Sequence, residues 1–120
     1  MHRAAQTYGQ IAKQIVSPRE LEADLLLKAA ARLQAIKDRW SGNRAELEDA
    51  LLYNRKLWTI FMASATSGEN PLPTEIRQNV ANLGVFVLKQ TLSIQSDPKP
   101  ERLNALININ RELAAGLLGR

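Results

Sequence analysis

Residues 53–61 read Tyr-Asn-Arg-Lys-Leu-Trp-Thr-Ile-Phe, and this stretch predicts a helix that carries a polar residue on its apolar side. At helical spacing Asn54, Trp58 and Phe61 share one face, because residues three and four apart are neighbours on a helix. An amide on an apolar face costs about 1–3 kcal/mol when it stays unpaired. Asn54 therefore needs a hydrogen-bonding partner, either inside the domain or on another molecule.

A second asparagine occupies a similar position near the end of the chain. Within residues 106–113, Leu-Ile-Asn-Ile-Asn-Arg-Glu-Leu, Asn110 follows Leu106 by four positions and precedes Leu113 by three. One interpretation is that each amide bonds a backbone group or the other asparagine, which would set the register of two helices. The other interpretation is that one or both asparagines line a groove that accepts a partner's helix. The residues alone leave both open.

The candidate partner-binding residues are the two asparagines and the side chains near them. Each asparagine is followed by an arginine, whose stem can cover apolar surface and whose head can clamp a partner's carboxylate. The helical period turns the tyrosine away from the tryptophan, so we expect a core Trp58 and a half-buried Tyr53. The candidate set is Tyr53, Asn54, Arg55, Trp58, Asn110 and Arg111.

Outward from these segments, apolar periodicity predicts an all-α fold, a small bundle of four main helices plus a short N-terminal helix. The whole chain, residues 1–120, is expected to form a single domain. Ser17 and Asn43 are predicted N-caps, Gly42 a left-handed stop, and Gly84 the site of a close helix crossing. The predicted helices span about residues 3–15, 18–40, 43–67 and 100–118, with a further helix that begins at residue 73 and stops before the break at residues 97–101.

The residues that usually carry enzyme chemistry are scarce. The chain has no cysteine and one histidine, His2, so the usual zinc sets and a Ser-His-Asp triad are not expected. The glycines are isolated and form no phosphate-binding loop. We expect neither an enzyme nor a bound cofactor or metal.

Charge and hydropathy indicate the class of partner and the compartment. The net charge is +4, and the basic residues are spread along the chain instead of forming one run, so we do not expect nucleic acid as the main partner. No apolar stretch reaches the roughly 18 residues that a transmembrane helix needs, and none has signal-peptide form at the start. The expectation is a soluble, cytoplasmic protein that does not insert into a membrane.

Four segments in this order resemble the FlaF family: residues 17–22 (Ser-Pro-Arg-Glu-Leu-Glu), 50–58 (Ala-Leu-Leu-Tyr-Asn-Arg-Lys-Leu-Trp), 72–73 (Leu-Pro), which open a helix, and 106–111 (Leu-Ile-Asn-Ile-Asn-Arg). Tyr8 and the chain length are also similar to the family. The resemblance implies a flagellar biosynthesis regulator of alphaproteobacteria that binds flagellin in the cytoplasm as a secretion chaperone and promotes its synthesis and export. It also implies action opposite a second regulator, FlbT.

Helix-in-groove binding would suit this role, because flagellin's terminal segments form amphipathic helices only on assembly. Two alternatives stay open. The protein could regulate flagellin after transcription by contacting its mRNA, or it could be a scaffold for FlbT or for the export machinery. The residues do not indicate the oligomeric state.

Overall fold

The computed structural model describes residues 18–68 and 73–119. This part of the chain confirms the predicted all-α bundle with four main helices. They are α1 (Pro18–Asp38), α2 (Arg44–Ala65), α3 (Thr74–Ser96) and α4 (Asn104–Leu117), with a short 3-10 helix (Pro100–Leu103) before α4. The predicted N-terminal helix, its Tyr8 and the predicted cap Ser17 lie outside the described residues.

The turn between α1 and α2 follows the predicted signals closely. The Oδ1 atom of Asn43 accepts a hydrogen bond from the backbone N–H of Glu46 at 3.2 Å, so Asn43 is the N-cap of α2. Gly42 has a φ of +75°, a left-handed conformation that suits glycine. Helix α1 ends at Asp38, two residues before the predicted end, and α2 ends at Ala65, also earlier than predicted.

The last predicted helix was wrong in its first turn, which is a 3-10 helix and not α-helix. Side chains of α3 explain the difference. The amide of Gln90 donates to the backbone carbonyl of Arg102 at 3.1 Å, and the Arg102 guanidinium donates to Ser93 Oγ at 2.8 Å. Arg102 also pairs with Asp97 at 3.1 Å. These bonds hold the 3-10 turn against the end of α3.

The core forms where the predicted apolar stripes meet. Helix α1 packs most extensively against α4, α2 packs against α3, and α1 joins the two pairs by packing on α2. On α2 the predicted apolar stripe is buried throughout; it consists of Leu47, Leu51, Asn54, Trp58, Phe61 and Ala65. On α1 the predicted stripe is buried except at its last residue, Trp40, which lies beyond the helix end and is half-buried; the others are Leu26, Ala29, Leu33 and Ile36. On α3 three of the six predicted stripe residues are buried, three are half-buried, and Thr91 is buried beside Gln90; the predicted stripe was Ile76, Val80, Leu83, Val87, Gln90 and Ile94, of which Ile76, Leu83 and Gln90 are half-buried. The hydroxyl of Thr91 donates to the carbonyl of Val87 at 2.7 Å, which satisfies it without a distant partner.

Polar side chains fix α2 and α3 side by side in opposite directions. At one end the side-chain amide of Gln95 donates to the Glu48 carboxylate at 2.9 Å, and the Arg44 guanidinium donates to the backbone carbonyl of Gln95 at 2.6 Å. At the other end the Arg77 guanidinium donates to the carbonyl of Ala65 at 3.0 Å, near the end of α2. Since both ends are held, the register of the two helices is defined along their length.

Gly84 lies where α2 and α3 cross, which confirms the predicted close approach. A Cβ added there would collide with the Sδ and Cγ atoms of Met62. Gly84→Ala should raise helix propensity by about 1 kcal/mol, but overpacking against the thioether costs about 1–3 kcal/mol. We therefore expect a net loss of stability of about 1 kcal/mol in urea unfolding. In a Met62→Ala background the same substitution should stabilise the protein, and a loss of equal size in both backgrounds would contradict the crossing argument.

Candidate functional site

Three of the six candidate residues meet in the interior of the bundle. Asn54, Trp58 and Asn110 each have 0% of their surface exposed. The indole Nε1–H of Trp58 donates to Asn110 Oδ1 at 2.8 Å, and Asn110 Nδ2 donates to Asn54 Oδ1 at 2.7 Å. The chain of bonds therefore connects α2 with α4 through side chains alone.

The orientation of both amides follows from the chemistry of the indole. An indole N–H can only donate, so the Asn110 atom that faces Trp58 must be the carbonyl oxygen. The Asn110 NH₂ group then faces Asn54, and Asn54 must present its own oxygen in return. Reversing either amide would place two donors or two acceptors against each other.

One donor of this network has no partner among the described residues. Asn54 Nδ2 is buried and makes no hydrogen bond. A buried unsatisfied donor costs about 1–3 kcal/mol, so the network stabilises the fold less than two bonds would suggest. Its clearer effect is specificity, since only one arrangement of α2 and α4 satisfies the other groups.

The other three candidate residues lie on different surfaces. Tyr53 is half-buried, as predicted, and the guanidinium carbon of Arg32 on α1 lies 5.5 Å from its ring centroid. Arg55 is exposed, two positions further along α2 and therefore about 200° around the helix. Arg111 is exposed on α4.

The six candidates therefore do not form one accessible patch. Asn54 and Asn110 hydrogen-bond each other, as in the first of the two interpretations of the sequence. These two asparagines and Trp58 expose no surface that a partner could contact in this folded state. They can influence binding only by fixing the positions of α2 and α4. Whether Tyr53, Arg55 or Arg111 contacts a partner stays a prediction.

Two smaller features lie apart from this network. A cavity of about 230 Å³ sits at the turn between α1 and α2, with Ile36, Trp40 and Pro98 in its wall. Glu22 borders a small apolar indentation beside Phe61 and Val80, and this burial raises the pKa of its carboxyl, an effect that Arg19 partly opposes. Among residues 18–68 and 73–119, no three His, Cys, Asp or Glu side chains cluster in a way that could hold a metal ion.

The raised pKa of Glu22 makes stability depend on pH. The folded state binds this proton more tightly than the unfolded chain, so protonation stabilises the fold. The free energy of unfolding should fall as pH rises from the ordinary carboxyl pKa through the raised folded-state pKa, and stay lower above it. Glu22→Gln should remove this part of the decrease. Urea unfolding of both proteins across that pH range measures it, and parallel stability curves would contradict the assignment.

The fold and its interior define a small helical-bundle protein whose helices are joined by a buried polar network. The model of one family, described as flagellar protein FlaF, matches residues 4–117, so the chain belongs to the FlaF family and is a flagellar protein. The resemblance read from the sequence is thereby confirmed at the level of the family. No curated protein and no solved structure shows significant similarity to the chain. None of the described helices combines the length and the apolar character that crossing a membrane requires.

Proposed function

We propose that this protein binds flagellin in the cytoplasm as a secretion chaperone and promotes its synthesis and export. Membership of the FlaF family carries the proposal, because the match covers residues 4–117 and places the chain among flagellar proteins. The binding mode that we propose is helix-in-groove, in which an amphipathic segment of unpolymerised flagellin lays its apolar side on the bundle.

The structure offers a physical basis for this mode. The core is held by the buried Trp58 network and by the polar contacts at both ends of α2 and α3, so the helices form a preorganised surface. A preorganised surface loses less conformational entropy on binding than a flexible one. Flagellin segments that order only on assembly would carry most of that loss themselves.

Calorimetric titration with purified monomeric flagellin, at low and high salt, tests the proposal. Saturable one-to-one binding with a negative heat-capacity change and a weak salt dependence is the expected result. If a demonstrably folded sample of this protein gives no heat of binding and does not co-elute with flagellin, the proposal is overturned.

A second candidate function is direct contact with flagellin mRNA. It is favoured by the net charge of +4 and by the exposed Arg55 and Lys56 on α2. Phosphate contacts would make affinity fall steeply with salt, which distinguishes this function from apolar helix binding. A scaffold role for FlbT or the export machinery would show in parallel titrations as binding of FlbT without binding of flagellin.

A further inference from the structure

The described residues expose seven large apolar side chains, two on α1, two on α2 and three on α3. Leu21 and Leu27 are the exposed large hydrophobic residues of α1, and the described part of α4 has none. The other five lie on α2 and α3. A single exposed apolar residue is ordinary on a protein surface, whereas a cluster of them indicates an interaction site. They are Leu52, Ile60, Val85, Phe86 and Leu92.

Helical spacing places several of these residues along the seam between α2 and α3. On α2, Leu52 and Arg55 follow Glu48 at steps of four and three, on the line that leads to Met62 at the crossing. Both are exposed, so they form the solvent side of the seam.

On α3, the corresponding line runs from Gly84 through Leu88 and Leu92 to Gln95. Leu88 is half-buried, Leu92 is 63% exposed, and Val85 beside them is 48% exposed. The antiparallel register, defined by contacts at both ends, sets Leu52 level with Leu92. The apolar stripe therefore extends over about two helical turns, or about 10 Å, and is formed by residues of both helices.

Acids border this stripe only at its α2 end, where Glu48 pairs with Arg44 and Asp49 is exposed, and the charges beside the rest of the stripe are positive. Residues 50–68 and 76–96 contain no Asp or Glu. Arg55 on the α2 side and Lys89 on the α3 side are both exposed, and neither has an ion pair among the described residues. We call this surface the outer face; its residues are Leu52, Arg55, Val85, Leu88, Lys89 and Leu92.

We propose that the outer face docks an amphipathic helix of flagellin whose apolar stripe is flanked by Asp or Glu. This inference rests on the proposed function for the identity of the partner and adds the surface and the chemistry of the bound helix. The apolar stripe would supply affinity through burial, and the two flanking cations would orient the helix and disfavour basic competitors.

Charge argues against two other occupants of the outer face. A second copy of the chain, packed through a two-fold axis, would bring Arg55 and Lys89 near their own copies, and like charges at an interface are unfavourable. The N-terminal residues 1–17 carry Arg3 and Lys13 and no acid, so they also lack complementary charge.

The first experiment measures flagellin binding to the full chain and to surface variants. Val85→Gln with Leu92→Gln should weaken binding about ten- to a hundred-fold, the range expected when one or two large aliphatic side chains are no longer buried. The matched control is Leu21→Gln on α1, where the leucine is 51% exposed, and it should bind like the wild type. Circular dichroism and urea unfolding check that all variants stay folded.

The second experiment uses two synthetic helical peptides of about 18 residues with the same leucine stripe, flanked by glutamate in one and by lysine in the other. The wild-type protein should prefer the glutamate peptide, and Arg55→Glu with Lys89→Glu should reverse the preference. Lys28→Glu on α1 is the charge control and should leave the preference unchanged.

The outcomes separate this inference from the proposed function. Flagellin that binds the wild type and the Val85/Leu92 variant equally would overturn the outer face as the site and leave the chaperone function standing. If flagellin does not bind at all, but the wild type prefers the glutamate peptide and the charge-reversed variant prefers the lysine peptide, the proposed function is overturned and the chemistry of the surface is supported. Equal binding of both peptides, or a wild-type dimer that the Leu92→Gln variant dissolves, would overturn the inference.

Discussion

Replacing Trp58 with alanine is expected to lower the free energy of unfolding by about 3–5 kcal/mol, the usual cost of emptying a buried aromatic site. The indole is fully buried, packs edge-on against Phe61 with ring centroids 6.2 Å apart, and donates to Asn110. Its removal would leave a cavity and an amide oxygen without its donor. Because small domains have about 5–15 kcal/mol of stability in total, the variant should unfold at much lower urea concentrations.

Trp40→Ala provides the matched control for this substitution. Trp40 is half-buried at the turn after α1, so its removal should cost clearly less in the same urea experiment. A Trp58→Ala protein with wild-type stability and no flagellin binding would contradict the core role and return Trp58 to the list of contact residues.

Replacing Asn110 with leucine is expected to destabilise the fold by about 2–4 kcal/mol, since two buried groups lose their partners at about 1–3 kcal/mol each and leucine regains part through burial. The orphaned groups are the indole N–H of Trp58 and the Oδ1 atom of Asn54. Urea unfolding measures the change. Neutral or improved stability would instead indicate that the Asn110 amide serves another molecule.

A double-mutant cycle with Asn54→Leu tests the amide pair itself. Each single substitution strands an atom of the other asparagine, whereas the double variant leaves only the Trp58 N–H unpaired. The double variant should therefore lose less stability than the sum of the single losses, with a coupling of about 1–3 kcal/mol. Additive losses would show that the two amides do not interact.

The fold followed from the sequence because its signals were local. Apolar residues at steps of three and four, the Asn43 cap and the glycine of the α1–α2 turn act within a few residues of one another. The first turn of the last helix was wrong for the opposite reason. Gln90 and Ser93, about ten residues away on α3, bond Arg102 and hold a 3-10 turn there.

The candidate site shows the same division. That Asn54 and Asn110 need partners follows from an amide on an apolar stripe, and the sequence carries that information. That they bond each other, with Trp58 as the donor that orients both, depends on contacts more than fifty residues apart along the chain. The outer face was likewise not visible in advance, because periodicity marks the side of a helix that is buried and does not show which second stripe stays uncovered.

The sequence by itself determined the helices, their apolar sides, the scarcity of catalytic residue types and the resemblance to the FlaF family, since all of these depend on residue identity and short spacing. Only the tertiary structure decided which buried amide meets which, and which surfaces α2 and α3 leave to solvent. The physical reason is that local propensity and periodicity define each helix separately, whereas long-range pairing depends on how the packed helices satisfy their volumes and hydrogen bonds together.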